Sequence, residues 1–182
     1  MIKNLKILLS VFLFYSAHSL TAHSMPMDKM NKIYNFYSFG ENIGTAGQPK
    51  PEEFKIINDS GFTTVINLAM SGSRGFLNNE DKIVQSLGMT YVHIPVPWDK
   101  PEEKHLREFI TVMESLKNKK VFIHCMANYR VSAFMYQYFT QVRYLSEEEA
   151  TSPIMIKWRP NMDENWLSFM RINLSEGELK GD

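Results

Sequence analysis

Apolar positions recur along this chain in two periods. Leu106, Phe109, Ile110, Met113 and Leu116 stand three and four residues apart, so Pro101–Leu116 reads as a long amphipathic helix. Pro51–Ser60 has Phe54, Ile56 and Ile57 as its apolar side and Gly61 as its stop, and Asn79–Leu87 ends in the same way at Gly88. Between these helices lie short, β-branched or continuously apolar runs, Thr63–Leu68, Tyr91–Val96 and Lys120–His124, which predict strands. Tyr34–Phe39 and Ile43–Ala46 predict a hairpin around Gly40-Glu41-Asn42. Further helices are expected over Arg130–Val142, near Ser146–Ile156 and near Asp163–Leu174. Strands that alternate with helices predict an α/β fold, with a mostly parallel central sheet flanked by helices. Right-handed crossovers put the C-terminal ends of such strands on one edge, where ligands of open α/β sheets bind. Cys125 and Asp99 both fall just past a predicted strand end.

The first 24 residues follow a different grammar. Lys3 and Lys6 precede the apolar stretch Ile7–Ala17, and two small-residue sites follow, Ala17-His18-Ser19 and Ala22-His23-Ser24. A basic start, a short apolar centre and small residues at a cleavage site are the parts of a secretory signal peptide. The apolar centre is shorter than the roughly 20 residues that span a bilayer. Residues 1–24 are therefore expected to be an export signal and 25–182 a single domain in the periplasm or otherwise exported, with membrane contact only during export.

Composition narrows the function classes. The chain has 182 residues, 44% hydrophobic and 22% charged, with 20 basic and 20 acidic side chains. A net charge of zero gives no basic footprint for nucleic acid and no polybasic signal for anionic lipid. A single cysteine excludes an intramolecular disulfide and any multi-cysteine zinc site. Neither it nor the scattered histidines have metal-ligand spacing, so neither metal nor organic cofactor is expected.

The candidate chemistry gathers at that cysteine. A strand ends in His124-Cys125, a short loop of Met126, Ala127, Asn128 and Tyr129 follows, and a helix begins at about Arg130. Such a loop, curled before a helix N-terminus, turns backbone N–H groups inward and forms an anion nest. The same field favours a thiolate over a thiol. Arg130 adds a planar fork that grips two oxygens of a tetrahedral oxyanion. Nucleophile, cradle and clamp come from one segment, which suits attack at a phosphoryl or sulfuryl centre.

These residues resemble the cysteine-dependent protein tyrosine and dual-specificity phosphatases. The wording His-Cys-x-x-Asn-x-Arg-x-Ser-Ala-Phe, after Gly47-Gln48-Pro49 and after Gly-Phe-x-x-Val-Ile-Asn-Leu at 61–68, is similar to small bacterial members of that superfamily. The resemblance covers most of residues 43–142. It implies a cysteine-phosphatase-like fold and a phosphocysteine intermediate on Cys125. Arg130 and the loop 126–129 would bind the substrate phosphate, and His124 would support the loop. It also implies a general acid on a loop some tens of residues upstream, where Val96-Pro97-Trp98-Asp99 stands. Asp99 is then the expected acid, with Glu102 and Glu103 as fallbacks. An Asp this close to Pro101 also suits a helix N-cap.

Three departures keep other readings open, the first being that the loop 126–129 has no glycine, so that Asn128 is the residue expected to take a left-handed conformation. Four residues separate Cys125 from Arg130, where tyrosine phosphatases usually have five and rhodanese-type sulfurtransferases four. The Ser/Thr usual after the arginine is Val131, with Ser132 one residue on as its substitute beside the thiolate. The alternatives are a sulfurtransferase carrying a persulfide on Cys125, and an inactive phosphatase-like module that binds an anion. Arg74, in the Ser71–Gly75 loop, is either an anion-binding residue or a solvated charge. The expected partner is a phosphorylated protein or small molecule, with no nucleic acid.

Overall fold

The computed structural model describes residues 26–175, so the expected signal segment 1–24 lies outside the described residues. Five strands form one sheet in the order β1-β2-β5-β3-β4. They are β1 (Tyr37–Phe39), β2 (Ile43–Ala46), β3 (Thr64–Asn67), β4 (Thr90–His93) and β5 (Val121–His124). Only the β1–β2 hairpin is antiparallel; β2, β5, β3 and β4 run parallel. The mostly parallel sheet of the sequence reading is therefore present. β5 lies at its centre, with Ala46↔His124 and Asn67↔His124 in register on its two sides.

Helices cover both faces. α1 (Pro26–Met30), α2 (Glu53–Asp59) and α3 (Glu80–Ser86) close one side. There Met30, Phe54, Ile57 and Val84 pack on Val65 and Phe122. α4 (Glu103–Ser115) and α5 (Tyr129–Gln141) close the other, where Leu106, Phe109, Ile110 and Met113 meet Phe134 and the sheet residues Ile66, Val121 and Ile123. The two cores follow from the period of two in a strand. Along β5, Val121 and Ile123 face the α4–α5 side, while Phe122 faces the α1–α3 side.

α5 is buried almost all round, from Arg130 to Phe139. A helix apolar on every face needs cover on every face. The sheet supplies one side, and α6 (Glu147–Ala150), α7 (Pro153–Trp158) and α8 (Glu164–Phe169) supply the other. Phe134 stacks on Phe169 with ring centroids 4.6 Å apart. The helix expected near Ser146–Ile156 is two helices, not one. Thr151 is extended, and Ser152 restarts the chain by accepting the Met155 N–H at 3.1 Å, with Pro153 in the first turn. α4 begins at Glu103 rather than Pro101; the backbone N–H of Glu102 donates to His105 Nδ1 at 3.0 Å.

Candidate active site

Cys125 follows β5 directly and is only 1% exposed. Its N–H points to the Ala46 carbonyl at 3.4 Å, which continues the β2–β5 ladder by one residue. The next residues leave the sheet in a turn whose carbonyls are held from outside. Gln48 N–H donates to Met126 O at 3.1 Å, and Asn35 Nδ2 donates to Ala127 O at 3.1 Å. Asn128 adopts the left-handed conformation at φ 66°. Asn tolerates this region better than most residues, and the turn here contains no glycine. The Asn128 Nδ2 group donates to Asn35 O at 2.8 Å and to Thr45 Oγ1 at 3.1 Å, and the side chain is wholly buried. The Asn128 carbonyl then accepts the Ser132 N–H, which opens α5. The first-turn amides of α5 carry no intrahelical partner, so they form the donor rim of the turn.

Gly47 permits this closure. A Cβ there would stand 2.5 Å from Tyr34 Cδ1 and 3.0 Å from the Met126 carbonyl. The Gly-Gln-Pro segment thus lets a neighbouring strand end and the cysteine turn lie backbone to backbone.

Arg130 is 5% exposed. Its Nε donates to the Val96 carbonyl at 2.9 Å, and the guanidinium lies 5.3 Å from the Trp98 ring centre. This leaves the two Nη groups without a hydrogen bond among the described residues. Trp98 is in turn packed against Trp166, Trp158 and Tyr129, with centroids 5.1, 5.6 and 6.5 Å away. Asp99 follows in a bend and is exposed. It does not cap α4, which starts behind Glu102. Glu102 pairs with Lys104 at 2.6 Å and Lys100 at 3.4 Å, and Glu103 pairs with Arg107 on the helix surface. The structure thus brings Cys125, Arg130 and the 96–99 segment to one sheet edge. Met126 and Ala127 also belong to this rim, while the Tyr129 ring turns away and stacks on Trp158 at 5.2 Å.

Ser132 departs from its expected place beside the thiolate. It lies one turn into α5, where its hydroxyl pairs with Ser152 Oγ at 3.0 Å, and it forms no hydrogen bond with Cys125. Consecutive residues of a helix diverge by about 100°, so a hydroxyl at 132 rather than at 131, directly after Arg130, turns toward α7.

His124 lies on the opposite face of β5 from Cys125, fully buried between Phe54 and Phe122. Its Nε2 meets Glu80 Oε1 at 2.8 Å. Glu80 is itself 1% exposed and accepts from Asn67 Nδ2 at 2.9 Å and Gln48 Nε2 at 2.5 Å. Burial opposes ionisation of Glu80. The charge and hydrogen bond of His124, with the Gln48 and Tyr91 donors, outweigh it and hold the carboxyl below the usual range. Burial and the Glu80 charge push the Tyr91 phenol up. Gln48, Glu80, Asn67 and Asn35 were not singled out from the sequence. Glu80 reads there as an ordinary first-turn acid, and only the Gly-Gln-Pro and Val-Ile-Asn-Leu wording carried a trace of two of the others.

Comparison with known proteins decides the family. A family model described as a DSP-PTPase phosphatase fused to NAD+ kinase matches residues 40–165. The chain belongs to this phosphatase family. The match holds the cysteine turn, the Asp99 segment and the Glu80 network within one unit. A solved structure of a DUF442 protein from Shewanella putrefaciens CN-32, named as a phosphatase, is 29% identical. It superposes with a TM-score of 0.71 over 79% of this chain and 93% of that one. Two more distant structures share the fold. Tk-PTP in its active form is 21% identical, with a TM-score of 0.61 over 75% of this chain and 94% of that one. P. aeruginosa TpbA (C132S), solved with pTyr, is 12% identical, with a TM-score of 0.62 over 81% and 89%. No curated protein matches the sequence significantly. The α/β sheet with flanking helices is thus a cysteine-phosphatase fold, and the chain is a member of the cysteine phosphatase superfamily.

Proposed function

We propose that the protein is an exported cysteine-dependent phosphatase that hydrolyses a phosphate monoester through a phosphocysteine intermediate. The observation that carries this reading is the 2.9 Å bond from Arg130 Nε to the Val96 carbonyl. It joins the arginine of the cysteine turn to the segment that bears Asp99. One edge of the guanidinium is anchored, and the Nη edge is left for an oxyanion.

In the first step the Cys125 thiolate attacks phosphorus and the bond to the ester oxygen breaks. Asp99, as the acid, delivers its proton to that oxygen, and the alcohol leaves. Arg130 and the first-turn amides of α5 hold the equatorial oxygens of the transferring group. In the second step the Asp99 carboxylate takes a proton from water, the water oxygen bonds to phosphorus and the S–P bond breaks. Inorganic phosphate leaves, and thiolate and acid are restored. The exposure of Asp99 leaves room beside it for the ester oxygen in the first step and for the attacking water in the second.

The test compares leaving groups. Asp99→Asn is expected to lower turnover of alkyl phosphates by about 10²–10⁴-fold, the range of general acid–base catalysis, and that of activated aryl phosphates less. Wild-type hydrolysis with Asp99→Asn unchanged on every leaving group would remove Asp99 from the mechanism. The four-residue spacing between Cys125 and Arg130 favours one second reading, sulfur transfer through a Cys125 persulfide. Thiocyanate formed from thiosulfate and cyanide, with no phosphate released from any ester, would establish it. Neither activity, with oxyanion binding retained in Cys125→Ser, would leave a binding module. Export rests on the leader-like residues 1–24 and predicts a mature start near Leu20 or Met25 in the periplasmic fraction. N-terminal sequencing that finds Met1 in a soluble cytoplasmic pool would overturn it.

A further inference from the structure

A second feature of the same sheet edge bears on the substrate. A cleft of about 460 Å³ opens beside the cysteine turn, within the range typical of small-molecule sites. Three βα connections wall it: Gln48–Pro51 after β2, Arg74–Leu77 after β3, and Met126–Ala127 after β5, with Tyr34 at the rim. Met126, the residue next to Cys125, is 37% exposed and Tyr34 58%, so both offer apolar surface to the cleft. Two cations line the cleft, Lys50 and Arg74, and no acid does. Neither side chain has an ion-pair partner among the described residues, whereas Lys55, on the next helix, is paired with Asp59. In a chain with equal numbers of acids and bases, two cations and no acid along one cleft are a local bias rather than a reflection of composition.

From these observations we infer that the cleft is a second anion subsite, and that the substrate is a small phosphomonoester bearing another phosphate or carboxylate. The inference rests on the phosphatase reading above and adds the substrate class to it. The scissile phosphate occupies the turn from Cys125 to Arg130. The carbon body lies along Met126, Tyr34 and Leu77, and the second anion meets Arg74 and Lys50. The volume favours a small molecule over a folded phosphoprotein, whose contacts would spread beyond one cleft.

Matched pairs test this: phenyl phosphate against 1,4-phenylene bisphosphate, and butyl phosphate against butane-1,4-diol bisphosphate. For at least one pair the wild-type kcat/KM ratio should favour the bisphosphate by about tenfold, mostly through KM, which is a few-fold for each exposed charge pair. That preference should shrink as salt is raised toward about 0.5 M, because exposed charges are screened. The Lys50→Ala, Arg74→Ala double variant should bring the ratio near one. Lys55→Ala, an exposed cation paired with Asp59 on α2, should leave it unchanged. A wild-type ratio near one for both pairs, or a ratio that survives the double variant, overturns the inference. So does a phosphotyrosine peptide turned over in preference to both bisphosphates. If phenyl phosphate is not hydrolysed at all, the phosphatase reading fails instead. Calorimetric titration of each bisphosphate into wild type and the double variant then decides the subsite by itself.

Discussion

Removing the Glu80 carboxylate is the most informative perturbation of the scaffold beneath the cysteine turn. Glu80→Ala removes the acceptor from His124 Nε2 at 2.8 Å, Asn67 Nδ2 at 2.9 Å and Gln48 Nε2 at 2.5 Å, and leaves Asn67 Nδ2 only the Tyr91 hydroxyl and Gln48 Nε2 only the Pro49 carbonyl. Asn67 and His124, both at 0% exposure, lie where solvent does not easily replace a lost carboxylate. Breaking a buried charged pair by deleting one partner costs about 3–5 kcal/mol. At a urea m-value of about 2 kcal/mol/M, the unfolding midpoint should fall by about 2 M. Glu80→Gln keeps the volume and one acceptor but presents an amide N–H to a donor, so its cost should be smaller, about 1–3 kcal/mol. Circular dichroism against urea measures both. The pH dependence has a defined sign. The folded Glu80 carboxyl lies below its ordinary value, so the unfolded chain takes up the proton first. Its stabilisation is complete above the unfolded carboxylate value of about 4.5 and is lost as pH falls through the lower folded value. Wild type should therefore lose stability more steeply than Glu80→Gln below that point. A Glu80→Ala midpoint within about 0.5 M of wild type, or parallel acid limbs for wild type and Glu80→Gln, would refute the reasoning.

Gly47→Ala places a methyl 2.5 Å from the Tyr34 ring and 3.0 Å from the Met126 carbonyl. It should cost about 1–3 kcal/mol by overpacking and should lower phosphatase turnover more than the melting temperature implies, read by both assays on one preparation. Asn128→Gly and Asn128→Ala both lose the bonds to Asn35 and Thr45, but only Ala also carries a Cβ into the left-handed region at φ 66°. Urea titration should place Ala about 1–2 kcal/mol below Gly, and equal stabilities would show that the turn does not hold that conformation in solution.

What could be read along the chain was what neighbouring residues decide among themselves. The spacing of Leu106, Phe109, Ile110 and Met113 makes one helix face wherever the helix packs. The run from Val121 to Arg130 makes strand, turn and helix from local preferences, so Cys125 and Arg130 were recognisable together. The extent of helices with several weak stops was less legible. Ser152 before Pro153 is a strong start signal, yet Ser146 before Glu147–Glu149 is another, and the helices they open, four and six residues long, lie too close together to separate by pattern. The sheet order, the pairing of Asn35 with the turn and the turning of Ser132 toward Ser152 were decided only by tertiary packing. The clearest case is Glu80, which stands 44 residues before His124. In its own segment it is one acid in the first turn of a helix, favourable there for the helix dipole alone. It becomes the acceptor for His124, Asn67 and Gln48 because β3 and β5 pair side by side and α3 lays its first turn across their ends. A buried charge is stable only where several distant segments bring donors to it at once, and no window of sequence contains that condition.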